Sequence, residues 1–370
     1  MNRCIFHIPI KLNINAQSAS GIRPQKMIQA FNEIGYQVDV VSGNATERKK
    51  IIKIIKSNIK KGIKYDFLYS ESSTMPTLLT EKHHFPTHPF LDFGFFRYCK
   101  KHNINIGLFY RDIYWKFPQY KENLPFWKSF FAIKFYQHDL KEYGNLLNKL
   151  YLPSWRVYQY IKSSQLDKKT DILPPACEQL PIPIYEKAYF KDFNKKPLEI
   201  FYVGGIGAHY GISELMSAVH KMKKCRLTIC CREDEWEREK EKLEIYLTSN
   251  NIQIIHKNNQ ELEEYYNRAD VCSLLFKPHE YMKLAIPYKA FEYLAHLKPM
   301  IASRDTEISD FVMKNDIGWV VPYNEDSIQT LLNDILKEPE IIIHKSKNLQ
   351  RVRDNNTWIE RAKKVAFDLQ

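Results

Sequence analysis

Short apolar runs alternate with amphipathic stretches along the whole chain. In the first half, runs at 4–9, 37–42, 65–70, 104–109, 148–152 and 171–173 are short and nearly continuous. Strands buried on both faces of a parallel sheet read this way. Between them, apolar positions at helical spacing predict helices near 23–34, 47–61, 90–101, 125–142 and 154–163. The alternation stops at PPACEQLPIPIYEKAYFKDFNKKP, residues 174–197, which carries five prolines and no regular period. It restarts with LEIFYVGG, a helix from Gly211, RLTICC, a charged helix over 233–248 and IQIIHK. A helix at 260–268, VCSLLF, a helix at 288–297, PMIAS, a helix at 307–314, GWVVPY and a helix at 325–337 follow. Strand–helix alternation of this kind predicts an α/β protein of two Rossmann-like, doubly wound domains facing a cleft. The expected division is a first domain over 1–173, a linker over 174–197 and a second domain over 198–345. A terminal helix over 346–370, with Trp358, is expected to pack back toward the first domain.

Composition narrows the function. A chain of 370 residues with 44% apolar residues builds two sizeable cores. No apolar run approaches the roughly 20 residues of a membrane span. The start, MNRCIFHIPIKLNIN, alternates like a strand and lacks a secretory leader's apolar block. Seven cysteines without a CxxC pair read as buried, reduced thiols, so a cytoplasmic protein is expected. The formal charge of +12 points to acidic partners. Residues 48–64, RKKIIKIIKSNIKKGIK, hold eight basic residues and no acidic one. A helix there would put Ile51, Ile52, Ile55 and Ile59 on one face. That face suits either an anionic membrane surface or a sheet of the protein itself.

Chemistry is concentrated in KPHEYMKLAIPYKAFEYLAHLKPMIAS, residues 277–303. A loop ending in Pro287 leads into a helix, and Pro299 closes it. Lys289 and Glu292 lie three apart on one face near the positive end of the helix dipole. Phe291, Leu294 and Ala295 form the opposite, buried face. A cation at a helix start suits an anionic ligand, and a carboxylate one turn later suits hydroxyls; the plain structural reading is an exposed ion pair. VGGIGAHYG, residues 203–211, follows a strand and precedes a helix, so Gly204, Gly205 and Gly207 can let amides approach a diphosphate. Its spacing is not GxGxxG, and Arg232 rather than an acid follows the second strand, which disfavours a dinucleotide oxidoreductase. HHFPTH, residues 83–88, lacks regular metal-ligand spacing and reads as loop histidines.

These segments together resemble GT-B glycosyltransferases, most of all glycosyltransferase family 4, over nearly the whole chain. YVGG…YGISELMSAV looks like the strand, glycine turn and helix of the donor domain, and PYKAFEYLAHLKPMIAS looks like its most specific segment. GWVVPYNEDSI and NNTWIERAKK are similar to family endings. SASGIRPQKMIQAFNEIGYQVDVVSG is similar to the acceptor domain's glycine loop, helix and strand, and LFYRDIYWKFP to its HDxxP element, with Arg111 at the histidine position. The resemblance implies a nucleotide-sugar donor, no cofactor, no bound metal and retention of anomeric configuration. By match, Glu292 would hold the donor ribose and Lys289 would lie near the diphosphate. The chain departs from the family at three places. Leu284 stands where the first glutamate of E-x7-E belongs, and Gly205 and Tyr210 replace the cationic pair of the glycine turn. Arg232, Lys283 or Lys289 would then supply the positive charge.

Breaking a glycosyl–phosphate bond builds negative charge on the leaving diphosphate, and preorganised amides and cations are the largest remedy. The acceptor hydroxyl needs a proton acceptor. Asp112, at the carboxyl end of the apolar run NINIGLFY, can reach the cleft; its structural alternatives are a salt bridge with Arg111 or a helix cap. If attack retains configuration on one face, the leaving phosphate takes the proton and Asp112 orients the acceptor. Gly21 and Arg23, where ASG before IRPQKM could begin a helix with its amides toward the cleft, are the other acceptor-side candidates beside Arg111; the structural alternative is a turn with Arg23 exposed. Residues 85–136 hold 18 of the 50 aromatics, suited to sugar rings, to a lipid-linked acceptor at a membrane or to an aromatic core. The expected activity is thus glycosyl transfer of hexosyltransferase type to a growing glycan, a bacterial cell-surface polysaccharide or lipid-linked oligosaccharide. The expected place is the cytoplasm, with peripheral contact at the inner face of an anionic membrane. The alternative is a non-catalytic glycan-assembly partner with a degenerate donor site; no nucleic-acid module is present.

Overall fold

The computed structural model describes residues 2–13, 16, 18–181, 196–207 and 210–370. They form two compact units, one of Met1–Pro175 with Trp358–Gln370 and one of Ala176–Thr357. Of the expected linker, residues 182–195 lie outside the described residues.

The first unit has strands β1 (Asn2–His7), β2 (Tyr36–Val41), β3 (Phe67–Glu71), β4 (Asn105–Phe109), β5 (Lys149–Leu152) and β6 (Thr170–Ile172). Its helices are α1 (Ala19–Glu33), α2 (Ala45–Lys60), α3 (Leu91–Lys101), α4 (Pro118–Glu122), α5 (Phe126–Leu146) and α6 (Trp155–Ile161). The strands pair in parallel in the order β2-β1-β3-β4-β5-β6, so strand order reverses between β1 and β3. At such a switch point the loops diverge and leave room for ligands beyond the strands' carboxyl ends.

The second unit has strands β7 (Leu198–Val203), β8 (Cys225–Cys230), β9 (Ile252–Ile255), β10 (Val271–Leu274), β11 (Met300–Ser303) and β12 (Gly318–Val321). Its helices are α7 (Ser213–His220), α8 (Glu233–Leu243), α9 (Glu263–Arg268), α10 (Tyr288–Ala295), α11 (Glu307–Asn315), α12 (Glu325–Lys337) and α13 (Glu340–Asp354). The order β12-β11-β10-β7-β8-β9 is again parallel, with its switch point between β7 and β10. Separate apolar layers cover the sheet's two faces, one beneath α7 and α12 and one beneath α10, α11 and α13.

One expectation changes, and two alternatives left open are decided. The terminal helix is not continuous: α13 ends at Asp354, and a further helix, α14 (Trp358–Leu369), packs on α1, β3 and β4 of the first unit. The break carries neither proline nor glycine; Asn356 O instead accepts a hydrogen bond from Cys177 N at 2.9 Å, inside the second unit. The expected isoleucine face of the basic segment turns inward, since α2 buries Ile52 and Ile55 against the sheet and leaves Ile51 and Ile59 half-buried, with Ile54 alone of this helix's isoleucines exposed. Its lysines are a solvated face around that packing. The aromatic belt divides, with Phe93, Phe95, Phe96 and Trp115 in the core and Phe126, Trp127, Phe130 and Phe131 on the surface. All seven cysteines are buried, and none forms a disulfide.

Candidate functional site

The carboxyl end of β7 runs straight into the glycine turn at the second unit's switch point. Gly204 has φ of +134°, a conformation that a residue with a Cβ resists. Tyr293 fixes this end: its hydroxyl accepts from Val203 N at 3.1 Å and donates to Ser273 O of β10 at 3.3 Å. Tyr202, at the end of β7, donates its hydroxyl to Gly205 O. Gly211, with φ of +56°, closes the turn, held through its carbonyl by the Tyr323 hydroxyl at 2.6 Å. Gly204→Ala is expected to lower stability by about 1–3 kcal/mol, the usual penalty of a strained backbone position. Urea unfolding checks this. An added Cβ would rest 3.6 Å from Lys289 Nζ, so strain rather than collision sets the loss.

Lys289 and Glu292 stand beside this turn on the first two turns of α10. Their helix is anchored by Ala290, Phe291, Tyr293, Leu294 and Ala295, all buried. Lys289 Nζ lies 3.8 Å from the centroid of the Tyr202 ring. The structure thus links the lysine, the strand end and the glycine turn through one aromatic ring. Lys289 and Glu292 keep part of their surface open, yet protein surrounds them closely. Burial depresses the lysine to about 7, with Glu292 opposing it, and lifts the glutamate to about 7, with Lys289 opposing it. Among the described residues neither charged group has a salt bridge or a hydrogen-bonding side-chain partner. The exposed ion pair is therefore not what forms. Two ionisable groups held in a poor solvent beside amides without acceptors make this turn the candidate ligand site of the second unit. Gly204 N, Ile206 N and Tyr210 N donate to Cys230 O, Glu235 Oε2 and Gly207 O, whereas Gly205 N and Gly207 N have no acceptor among the described residues.

The other expected cations lie differently. Arg232 caps α8 with its side chain 67% exposed and 3.6 Å from Glu235 Oε1. Through Glu235 it is joined to the glycine turn at Ile206, a link that the sequence did not suggest. Lys283 pairs with Glu280 at 3.0 Å. Tyr210 covers Gly205, where a Cβ would come 2.6 Å from its ring, and Leu284 is buried.

In the first unit the candidates gather at the carboxyl ends of β3 and β4. Glu71 closes β3, fully buried, and sequence reasoning missed it because an isolated glutamate after an apolar run carries no pattern. Its Oε1 accepts from Arg23 Nε at 3.2 Å and from the Tyr69 hydroxyl at 3.1 Å, and its Oε2 accepts from Arg111 Nη2 at 2.9 Å. Arg23 is accordingly inside the protein, stacked 3.6 Å from the Phe109 ring and bonded to Pro174 O, rather than exposed before a helix. Gly21 sits within the first turn of α1 and donates its N–H to Ser18 O at 2.9 Å, so that amide is not open to a ligand. Arg111 also donates to Ser72 O at 3.2 Å and keeps a sliver of surface. Asp112 Oδ1 accepts from Tyr114 N at 2.9 Å, a local cap of the turn that follows β4. The loop histidines His83, His84 and His88 are exposed, and the described residues contain no group of three side chains suited to a metal.

Residues 185–364 match the family model described as "Glycosyl transferases group 1". No curated protein sequence matches the chain. Among solved structures, sucrose-phosphate synthase from Thermosynechococcus elongatus superposes with a TM-score of 0.65 at 15% identity, covering 99% of this chain and 98% of that one. HepE of Anabaena in complex with UDP gives 0.67 at 10% identity over 100% and 99%. WaaG, a glycosyltransferase of lipopolysaccharide biosynthesis, gives 0.60 at 13% over 99% of each. With a group 1 domain over residues 185–364 and this architecture along its full length, the chain is a glycosyltransferase of the GT-B fold.

Proposed function

We propose that this enzyme moves a sugar from a nucleotide-sugar donor to a growing glycan, a cell-surface polysaccharide or a lipid-linked oligosaccharide, at the inner face of the cell membrane. The observation that carries the proposal is the Lys289–Glu292 pair, ionisable, half-open and, among the described residues, without a salt bridge or a hydrogen-bonded side-chain partner, beside the glycine turn at a switch point. The open amides of Gly205 and Gly207 and the Lys289 ammonium suit the diphosphate, and Glu292 suits the ribose hydroxyls. As the glycosyl–oxygen bond lengthens, charge grows on the leaving phosphate, and a preorganised cation there lowers the barrier. Arg232 adds a second cation once the diphosphate competes with Glu235 for it. Lys283 would help only if it left Glu280. A retaining, metal-independent transfer of family 4 type is supported by the same motif, with Asp112 and Arg111 serving the acceptor.

A thermal-shift screen against UDP-, GDP-, ADP- and CMP-sugars tests the donor class. A ligand at a hundredfold excess over its dissociation constant adds about 2.7 kcal/mol of stability. A UDP-sugar is the first choice, because HepE was solved with UDP and with UDP-glucose. The proposal fails if no nucleotide sugar shifts the melting curve and none is bound in calorimetry.

A further inference from the structure

The geometry points to the N-terminal end of α5 as a docking knuckle for an anionic phospholipid surface. Phe126, Trp127, Phe130 and Phe131 are 84%, 58%, 48% and 56% exposed. At 3.6 residues per turn these positions share one face of the helix. The other face is fixed in the protein: Ser129, Ala132 and Tyr136 are buried, and Ala132 and Tyr136 pack with Leu79 and Trp115. The rings are therefore displayed by a rigid element rather than by a frayed end. The loop preceding α3 adds Phe85 and Phe90, 64% and 78% exposed, and is tied to the same small cluster by a hydrogen bond between His84 Nδ1 and Leu79 O at 3.1 Å.

Large exposed apolar patches mark a binding surface, and charge identifies the partner. Over residues 118–134 there are three lysines, Lys121, Lys128 and Lys134, against one acid, Glu122. Lys128 Nζ lies 5.3 Å from the Trp127 ring and Lys134 Nζ lies 5.8 Å from Phe130. Aromatic rings with lysines beside them match the lipid–water boundary, where rings enter the acyl edge and ammonium groups remain at phosphate level. A second copy of the chain suits the patch less, since a twofold contact would set the lysines against each other. A sugar-stacking platform suits it less as well, because Phe126 has almost no protein behind it. Among the described residues no helix is long and apolar enough to cross a membrane, so the contact would be peripheral.

The test uses the whole chain and does not depend on donor binding. Wild-type protein is floated with vesicles of mixed phosphatidylcholine and phosphatidylglycerol, and with phosphatidylcholine alone. A Trp155→Phe background removes the other strongly exposed tryptophan, so quenching by bromine-labelled lipid reports on Trp127. The expected result is binding to the mixed vesicles that weakens with salt, with quenching of Trp127. In Trp127→Ser/Phe131→Ser the partition coefficient should fall at least about tenfold, while the melting temperature is unchanged. Equal binding of wild type and variant overturns the proposal, as does equal binding to neutral vesicles. So does a wild type that ignores vesicles but self-associates in sedimentation through these rings.

Discussion

Replacing Lys289 by methionine is expected to lower kcat/KM for the donor by about 10²–10³, the usual effect of removing one well-placed donor from developing charge. The same change should raise the melting temperature of the ligand-free enzyme. The signs follow from the two groups. Lys289 has its folded pKa depressed to about 7 from 10.5, so between those values the unfolded chain binds the extra proton and stability rises with pH. Glu292 has its folded pKa raised from 4.5 to about 7, so stability falls as pH rises through that window. Near neutral pH both groups therefore burden the fold, and removing either relieves it, by about 2–4 °C for each kcal/mol in a domain of this size. Donor affinity carries the complementary signature. A diphosphate prefers the protonated lysine, so the wild-type dissociation constant should increase above neutral pH, by up to about tenfold per unit. That limb should vanish in Lys289→Met. A lower melting temperature with unchanged donor affinity would mark Lys289 as structural.

The sites differ in how much of them the sequence reveals. β7, the glycine turn and α10 are legible because each is specified locally: an apolar run, glycines where the backbone turns, and prolines on either side of a short helix. Lys289 and Glu292 are legible for the same reason, since three residues of helix put them on one face whatever surrounds them. The first unit hides its arrangement. Arginine seldom buries without a partner, and the partner that draws Arg23 inside, Glu71, lies 48 residues away. The basic run of α2 reads equally as a membrane face, and only the neighbouring strand decides that its isoleucines turn inward. The break before α14 is likewise tertiary. Nothing in RDNNTW stops a helix, but Cys177 takes the Asn356 carbonyl and the next helix belongs to another core.

The arginine clamp leads to the second large effect. Glu71→Ala is expected to destabilise the first unit by about 3–5 kcal/mol, the range seen when one member of a buried charge cluster is removed. The loss exceeds that of an ordinary hydrogen bond for a stated reason. Two guanidiniums, those of Arg23 and Arg111, would lose their shared carboxylate, and the Tyr69 hydroxyl would lose an acceptor, all in a place water reaches poorly. Arg23→Met added to Glu71→Ala should recover part of that loss, because it removes one buried positive charge and leaves a side chain able to cover Phe109. Chemical unfolding followed by fluorescence measures both variants, and a single-variant loss below about 1 kcal/mol would show that solvent already reaches the cluster. Glu71→Gln separates packing from positioning. It fills the same volume but offers one acceptor oxygen and a donor that faces an arginine, so Arg111 should swing away from β3 with the fold retained. If Arg111 serves the acceptor, the acceptor KM then rises while donor binding at Lys289 and Glu292 stays as in the wild type.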